Sequence, residues 1–283
     1  MKKLFTFIVA MSFVGIFSQE NEPPKEGWKK EGNFSLTFNQ SSFSIWVAGG
    51  DNAISGNASI NYNANLLKGI WTWDNKFILA YGIANSESKG TIKTDDRFEI
   101  NSLLGRKAEN NWHYSMFINF MTQFTNGYDY TNDPNQDFPI SKAFSPAYLS
   151  IGPGMLWKKS DNFKINLSPA TGKFTFVMDD TLSNLGAFGV ESGKKVRSEL
   201  GFYVGAYHKA EIMKNISMEN ILSLYSNYLE KPENIDVNHQ LNVVMKVNKY
   251  ISANLSLHTI YDDNMLQKTQ FKEVFGVGFN YGF

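Results

Sequence analysis

Three alternating residues with side-chain oxygens, Asp133, Asn135 and Asp137, form a candidate cation site. This D-x-N-x-D spacing opens a calcium loop, because alternate residues of a tight loop turn their oxygens onto one hard cation. Phe138 stands where such a loop needs glycine, and Phe144 stands where it needs a bidentate glutamate. A full EF-hand is therefore excluded, which leaves a loose cation site or a solvated polar loop.

The second candidate chemistry is hydrolysis by a serine and a histidine. The chain has four histidines: His113, His208, His239 and His258. A lipid hydrolase needs a serine beside the imidazole and a polar residue that orients the ring. His239 with Ser223 or Ser226 is the candidate pair, but no orienting residue is evident. In the alternative, His239 is a rim histidine in the interfacial belt, on the same apolar face as Leu241 and Val243.

Composition narrows the class of protein. There are 27 basic and 27 acidic residues and no cysteine, so no net positive field, disulfide or thiolate metal site exists. Nucleic acid is therefore not an expected partner. Gly49-Gly50-Asp51-Asn52 lacks the strand-to-helix context of a phosphate loop, and no cofactor is expected. Aromatic residues make up 15% and charged residues 19%, yet no apolar run approaches the roughly 20 residues of a membrane-spanning helix.

The dominant hydrophobic period beyond residue 32 is two, which indicates β-strands. In residues 54–66 the apolar or small side chains alternate with six Ser and Asn residues. Such a polar row is too long for the buried face of a sandwich, but it suits a wall between lipid and a wet lumen. The same alternation predicts the following lumen-lining residues: Asn57, Asn61, Asn63, Asn65, Asp74, Lys76, Arg97, Glu99, His113, Lys164 and His258.

Twelve such segments are predicted, at about 32–40, 53–66, 70–83, 95–106, 111–123, 146–157, 162–168, 196–210, 216–228, 236–247, 250–261 and 271–283. An even number suits a barrel with both termini in the periplasm, and short gaps alternate with longer ones such as 124–145 and 169–195. The predicted fold is all-β: a transmembrane, antiparallel, up-and-down barrel of twelve strands with short periplasmic turns and long extracellular loops. Residues 169–195 are long enough to hold a further hairpin.

The last segment has an aromatic row that ends at the last residue, formed by Phe275, Phe279, Tyr281 and Phe283. An aromatic C-terminal strand resembles the signal that the barrel assembly machinery recognises. At the other end, residues 1–18 combine two lysines, an apolar stretch and a small residue, which predicts a signal peptide. Residues 19–31 are predicted as a periplasmic tail and residues 32–283 as the barrel, located in the outer membrane of a Gram-negative cell.

Three blocks, 43–52 (FSIWVAGGDN), 145–157 (SPAYLSIGPGMLW) and 167–177 (LSPATGKFTFV), resemble the signature blocks of a family of Bacteroidota outer-membrane barrels, the domain of unknown function 3078. The resemblance implies location and barrel shape. The family has no established catalytic residues to transfer.

Two hypotheses for function follow, with an enzyme as a third. The first is a narrow channel or uptake protein for small polar solutes, since twelve strands lie between the filled interior of eight and the open pore of sixteen. The second is a non-conducting barrel that serves as an accessory subunit of a larger outer-membrane complex, because residues 124–144 hold five aromatics. The third is a lipid hydrolase. The expected partners are outer-membrane lipids, the assembly machinery and such a complex.

Overall fold

The chain folds as a closed antiparallel barrel. A computed structural model describes residues 25–42 and 52–283, and within them twelve strands form the wall. The wall strands are β1 (Gly27–Ser41), β2 (Ala53–Lys68), β3 (Trp71–Ser86), β4 (Gly90–Glu109), β5 (Trp112–Thr122), β8 (Ala147–Ser160), β9 (Phe163–Phe176), β10 (Val196–Met213), β11 (Ile216–Asn227), β12 (Asp236–Lys246), β13 (Ile251–Asp262) and β14 (Leu266–Gly282). Each wall strand pairs with the wall strands before and after it, including β5 with β8, and β14 closes on β1. The predicted twelve-stranded barrel is confirmed.

Some predictions fall on residues that the structure leaves undescribed. The signal peptide, residues 19–24 of the predicted tail and residues 43–51 of the first signature block lie outside the described ranges. Among the described residues, no helix has the length and apolar character needed to span a bilayer.

β1 begins at Gly27, five residues before its predicted start, and so includes the end of the predicted tail. Gly27–Glu31 pairs with β2 only, whereas pairing with β14 begins at Asn33. These five added residues are held to the outer face of the sheet by Trp28, whose ring lies 5.8 Å from that of Trp73. Apolar contact between these rings stabilises the pairing of this otherwise polar segment with β2.

The two ends of the barrel differ in the length of their connections. At one end, which we name the turn end, the connections are 69–70, 110–111, 161–162, 214–215 and 247–250. At the other, the loop end, residues 123–146 contain a small ribbon of β6 (Gly127–Tyr128) and β7 (Pro139–Ser141). The asymmetry expected of an outer-membrane barrel is present.

The second long loop differs from its prediction. β9 runs to Phe176, so the loop covers residues 177–195 and holds a short helix, α1 (Asp180–Asn184), rather than a hairpin. A small core of Val177, Leu182 and Val190, each at most 3% exposed, stabilises it. Because three apolar side chains face one another here, the segment packs on itself instead of extending the sheet.

The outward face carries aromatic rings near both ends. Exposed rings at the turn end belong to Trp28, Trp71, Trp112, Tyr250 and Tyr281, and those at the loop end include Phe38, Tyr81, Phe124, Tyr228 and Phe271. Two rows of rings on the outside of a barrel are typical of the interfacial belts of membrane proteins. The inward face is polar, which places the candidate functional residues in the lumen.

Candidate functional site in the lumen

Alternation along each strand places the eleven predicted lumen residues on the inward face. Asn57 donates a hydrogen bond to Asp95 Oδ2 at 3.2 Å, and the His258 ring contacts Asn238 Oδ1 at 2.9 Å. His113 is buried near the turn end, with Nδ1 3.1 Å from the Asn111 carbonyl. Asn61 lies level with Asn33 of β1. The remaining seven residues take part in the cavities and ion pairs described below.

A cavity of about 130 Å³ lies toward the turn end, and we name it the turn-end cavity. Its polar lining includes Asn63, Asn65, Asp74, Lys76, Lys164 and Asn166. These residues come from three strands, β2, β3 and β9, and Lys164 of β9 lies 90 residues from Asp74 of β3. The predicted residues Asn63, Asn65, Asp74, Lys76 and Lys164 are therefore brought together by barrel closure.

Asp74 is buried and joins two lysines. Its carboxylate accepts from Lys158 Nζ at 2.8 Å and from Lys164 Nζ at 2.6 Å. Lys158 also lies 3.0 Å from Asp161. Sequence reasoning missed Lys158 because it was assigned to a turn; its place in the alternation of β8 was the available signal.

A second ion pair crosses the barrel. Lys76 Nζ lies 2.6 Å from Glu219 Oε1, and the hydroxyl of Tyr207 donates to the same oxygen at 2.8 Å. β3 and β11 are six places apart in the ring of twelve strands, so this pair joins opposite walls. Glu219 and Tyr207 were not predicted individually, although both fall on the polar side of alternating segments.

Arg97 makes another contact across the barrel. It pairs with Glu99 on its own strand and donates to Gln240 Oε1 at 2.6 Å. β4 and β12 are again opposite strands. Asn101 Nδ2 adds a bond to Glu99 at 2.7 Å, so the buried carboxylate has several donors.

An aromatic pair borders the turn-end cavity. The rings of Phe117 and Tyr203 stack with centroids 4.3 Å apart and an interplanar angle of 17°. The Tyr203 hydroxyl lies 3.0 Å from Ser223 Oγ. We name Phe117 and Tyr203, with Arg97, Glu99 and Gln240, the mid-lumen layer.

A second cavity, of about 320 Å³, lies toward the loop end, and we name it the loop-end cavity. Its polar lining includes Asp95, Arg97, Tyr148, His258 and Lys272. Lys272 Nζ lies 2.6 Å from Asp95. The two cavities share no lining residue. Phe117 and Tyr203 of the mid-lumen layer line the turn-end cavity and Arg97 lines the loop-end cavity, so the layer borders both.

In the candidate cation site, the carboxylate of Asp133 is hydrogen-bonded to the backbone of its own loop. The two carboxylate oxygens of Asp133 accept from the backbone amides of Asp137, at 3.1 Å, and Phe138, at 2.8 Å. Among the described residues, the carboxylates close enough to share an ion are those of Asp236, Asp262 and Asp263. Lys173 already bonds two of them, Asp236 at 2.6 Å and Asp262 at 2.9 Å.

The serine and the histidine of the candidate hydrolase pair lie on different faces. Ser223 faces the lumen, where it bonds to Tyr203. His239 pairs in register with Leu222 on the outward face, and its Nε2 lies 3.3 Å from Asn220 Oδ1. Asn220 is thus a partner for the imidazole that the sequence did not indicate. Ser226 also bonds elsewhere, donating to the Pro232 carbonyl at 2.7 Å.

The C-terminal aromatic row lies on the outward face of β14. Phe275, Phe279, Tyr281 and Phe283 are 42–60% exposed. The backbone of Phe283 exchanges hydrogen bonds with Gly32, at 2.7 and 3.0 Å. Its ring stacks on those of Tyr62 and Tyr281.

Part of the chain matches a known protein family. Residues 38–128 match the family described as "Protein of unknown function (DUF3078)". The predicted resemblance is confirmed over that stretch. The DUF3078 match takes in β2 to β5, which supply Asp74, Lys76, Arg97 and Phe117 to the lumen. No curated protein matches the chain.

Several solved structures are similar to this chain at low sequence identity. One is an outer-membrane channel from Pseudomonas putida F1, with 10% identity, coverage of 95% of this chain and 99% of the other, and a TM-score of 0.40. Another is the translocator domain of the autotransporter NalP from Neisseria meningitidis, with 7% identity, coverage of 99% and 94%, and a TM-score of 0.31. OprB from Pseudomonas putida has 10% identity, coverage of 91% and 94%, and a TM-score of 0.27.

Proposed function

We propose that this protein is a narrow outer-membrane channel for small polar solutes and that the mid-lumen layer is its gate. The observation that carries the proposal is the arrangement of two polar cavities on either side of a layer made of side chains. Side chains change rotamer far more easily than a strand or a plug domain moves. A small rearrangement of the mid-lumen layer is therefore enough to join the two chambers.

Orientation follows from the same architecture. We place the turn end in the periplasm, because short turns and both chain ends of outer-membrane barrels lie there. The start of β1 and the C-terminal Phe283 both lie at this end. The predicted signal peptide supports export, and the two rows of outward rings fit lipid on the outside. The turn-end cavity then opens to the periplasm and the loop-end cavity to the exterior.

Planar-bilayer recording of the purified, folded barrel tests the proposal. We expect small, intermittent conductance, because the mid-lumen layer must rearrange before ions pass. Folding is verified beforehand by heat-modifiable migration on a gel. Complete absence of conductance at every voltage and pH, in a sample shown to be folded, would overturn the proposal.

A non-conducting barrel in a larger complex is the second candidate function. The contacts of Lys76 with Glu219 and of Arg97 with Gln240 join opposite walls and brace a closed lumen. At the loop end, Phe138 is 77% exposed and Phe144 is 53% exposed, which suits contact with a partner protein. In-cell crosslinking from position 138, followed by purification in a mild detergent, discriminates between the two. Recovery only as a free monomer would count against the complex.

A further inference from the structure

We propose that the turn-end cavity binds a small, uncharged polyhydroxy solute of about the size of a monosaccharide. The inference rests on the proposed channel function and names the class of solute that it would carry. Its basis is the contrast between the amides of the cavity, which have hydrogen-bonding capacity to spare, and its charged groups, which are already paired.

The amide side chains of the lining offer unused donors and acceptors. Within the described ranges, the side chains of Asn63 and Asn65 make no hydrogen bond to another residue. Asn166 is 5% exposed, and its Oδ1 accepts from Ser115 Oγ at 2.6 Å, but its Nδ2 has no partner in the described protein. Reversing this amide would leave the oxygen unpaired instead. A buried polar atom without a partner is costly, so a ligand or water that reaches it is stabilised.

The charged groups of the lining are paired with one another. Lys76 is paired with Glu219 at 2.6 Å, and Lys164 with Asp74 at 2.6 Å. At the mouth, Lys29 lies 3.0 Å from Glu31. A charged solute would have to lose its hydration and then compete with an existing pair for its counter-ion. A neutral solute has only hydrogen bonds to exchange, so this lining favours it.

Shape and size restrict the solute further. The stacked rings of Phe117 and Tyr203 add a flat aromatic surface to a cavity lined by amides, ion pairs and aliphatic residues. A sugar ring has both kinds of surface, with hydroxyls at its edge and C–H groups on its faces. The volume of about 130 Å³ is near that of a cavity of roughly 150 Å³ that holds benzene. The cavity therefore has room for one ring-sized part of a solute at a time.

Three sugars with the same ring and different charge test the inference on the full-length barrel in detergent: D-glucose, D-glucuronate and D-glucosamine. Binding is measured by saturation-transfer NMR and by calorimetric titration. We expect glucose to bind and the two charged probes to bind at least about tenfold more weakly, since each must break an ion pair. Equal or tighter binding of glucuronate or glucosamine, or no binding of glucose, would overturn the inference.

A pair of variants locates the site. Asn63→Ala/Asn65→Ala removes two free amides and is expected to weaken glucose binding about tenfold. The matched control is Asn57→Ala, on the same face of the same strand but bonded to Asp95 near the loop-end cavity; it should leave glucose binding unchanged. Equal losses in both variants would contradict the site. If the double variant does not fold, the three-probe series on the wild-type protein still decides.

Conductance of the same sample separates this inference from the channel proposal. Conductance without glucose binding would refute the proposed solute class and leave the channel proposal standing. Glucose binding without conductance would refute the channel proposal and leave the binding site standing.

Discussion

Lys76 Nζ lies 2.6 Å from Glu219 Oε1, although β3 and β11 stand on opposite sides of the barrel. Two side chains therefore bridge the width of the lumen at this level. Both are largely buried, with 12% and 17% of their side chains exposed. A pair so shielded from water is screened less by salt than a surface pair. If the protein is the channel proposed above, this pair is a second contact across the lumen, besides the mid-lumen layer, that would break on opening.

Glu219→Ala is expected to raise the open probability of the channel. A hydrogen bond between charged groups contributes about 1.5–3 kcal/mol, and 1.4 kcal/mol corresponds to a factor of about ten. Single-channel recording should therefore show the open fraction rising about tenfold or more. The control is the charge swap Lys76→Glu/Glu219→Lys, which restores opposite charges and should return the open fraction toward the wild-type level. An unchanged open fraction in Glu219→Ala would show that the pair does not hold the lumen closed.

Phe117→Ala is expected to widen the passage between the chambers. Removing one ring of the 4.3 Å stack with Tyr203 leaves a gap beside the turn-end cavity. Liposome swelling should then show faster entry of a monosaccharide than with the wild-type barrel, by about tenfold. Tyr203→Phe is the matched control, because it removes only the contact with Ser223 and keeps the stack. Equal swelling rates for Phe117→Ala and wild type would show that the rings do not limit passage.

Asp74→Asn is expected to destabilise the barrel. The change leaves Lys158 and Lys164 close together without their shared carboxylate. Removing one partner of a buried ion pair costs about 3–5 kcal/mol. Urea unfolding in lipid vesicles, followed by tryptophan fluorescence, measures the loss. Asp161→Asn removes a partner of Lys158 that is 36% exposed and should cost only about 0–1 kcal/mol. Similar losses in both variants would refute a special role for Asp74.

Gly32→Val is expected to impair closure of the barrel. A Cβ atom at Gly32 would overlap the ring of Phe283, which stacks on Tyr62. Displacing that ring disturbs the only seam where the first and last strands meet in the described chain. The fraction of protein recovered in the outer membrane should fall severalfold. Gly56→Val is the control, because a Cβ there meets only ordinary contacts at 3.6 Å. Normal recovery of Gly32→Val would contradict this account of the seam.

Removal of Phe283 tests the proposed assembly signal separately. Deleting it should slow insertion by the assembly machinery, whereas Phe275→Ala removes an equally exposed outward ring away from the terminus and should insert normally. Insertion is measured by the rate at which the heat-modifiable form appears. Equal insertion rates for the deletion and for wild type would show that the assembly machinery does not recognise Phe283.

Acid is expected to loosen the loop that contains α1. The hydrogen bond from Lys142, at 2.6 Å, lowers the pKa of Asp179 below its ordinary value of 3.8, and the backbone amide of Leu182 adds to this effect. Because the folded-state pKa is depressed, the stabilisation is present above pH 3.8 and is lost as the pH falls through the lower folded value. Amide exchange in α1, corrected for intrinsic rates, should accelerate at that point.

Two variants separate the Asp179 carboxyl from other acid effects. Asp179→Asn should show fast exchange in α1 already at neutral pH. Asp180→Asn alters an acid that is 83% exposed and should behave as wild type. An unchanged exchange rate in wild-type α1 across the acid range would contradict the role assigned to Asp179.

Much of the fold was evident from the sequence because a strand of a membrane barrel turns alternate side chains toward lipid and toward the aqueous lumen. The row from Asn57 to Asn65 and the aromatic row that ends at Phe283 each reveal one face of the wall. An even strand count and unequal connections then specify a closed barrel. The exceptions are local: Gly27–Glu31 joined β1 through a contact between Trp28 and Trp73, and residues 177–195 formed their own small core. Both depend on contacts that a strand's own period does not show.

The lumen residues, like the fold, were only partly evident from the sequence. Alternation by itself determined which side chains face the lumen, including Asp74, Lys76 and Arg97. Only the tertiary structure decided that Lys76 meets Glu219 and that Arg97 meets Gln240. Those pairs lie 143 residues apart in sequence. Which residues lie opposite one another across the lumen depends on the register of every strand pair between them. These register shifts add up around the barrel, so no single strand reveals the result.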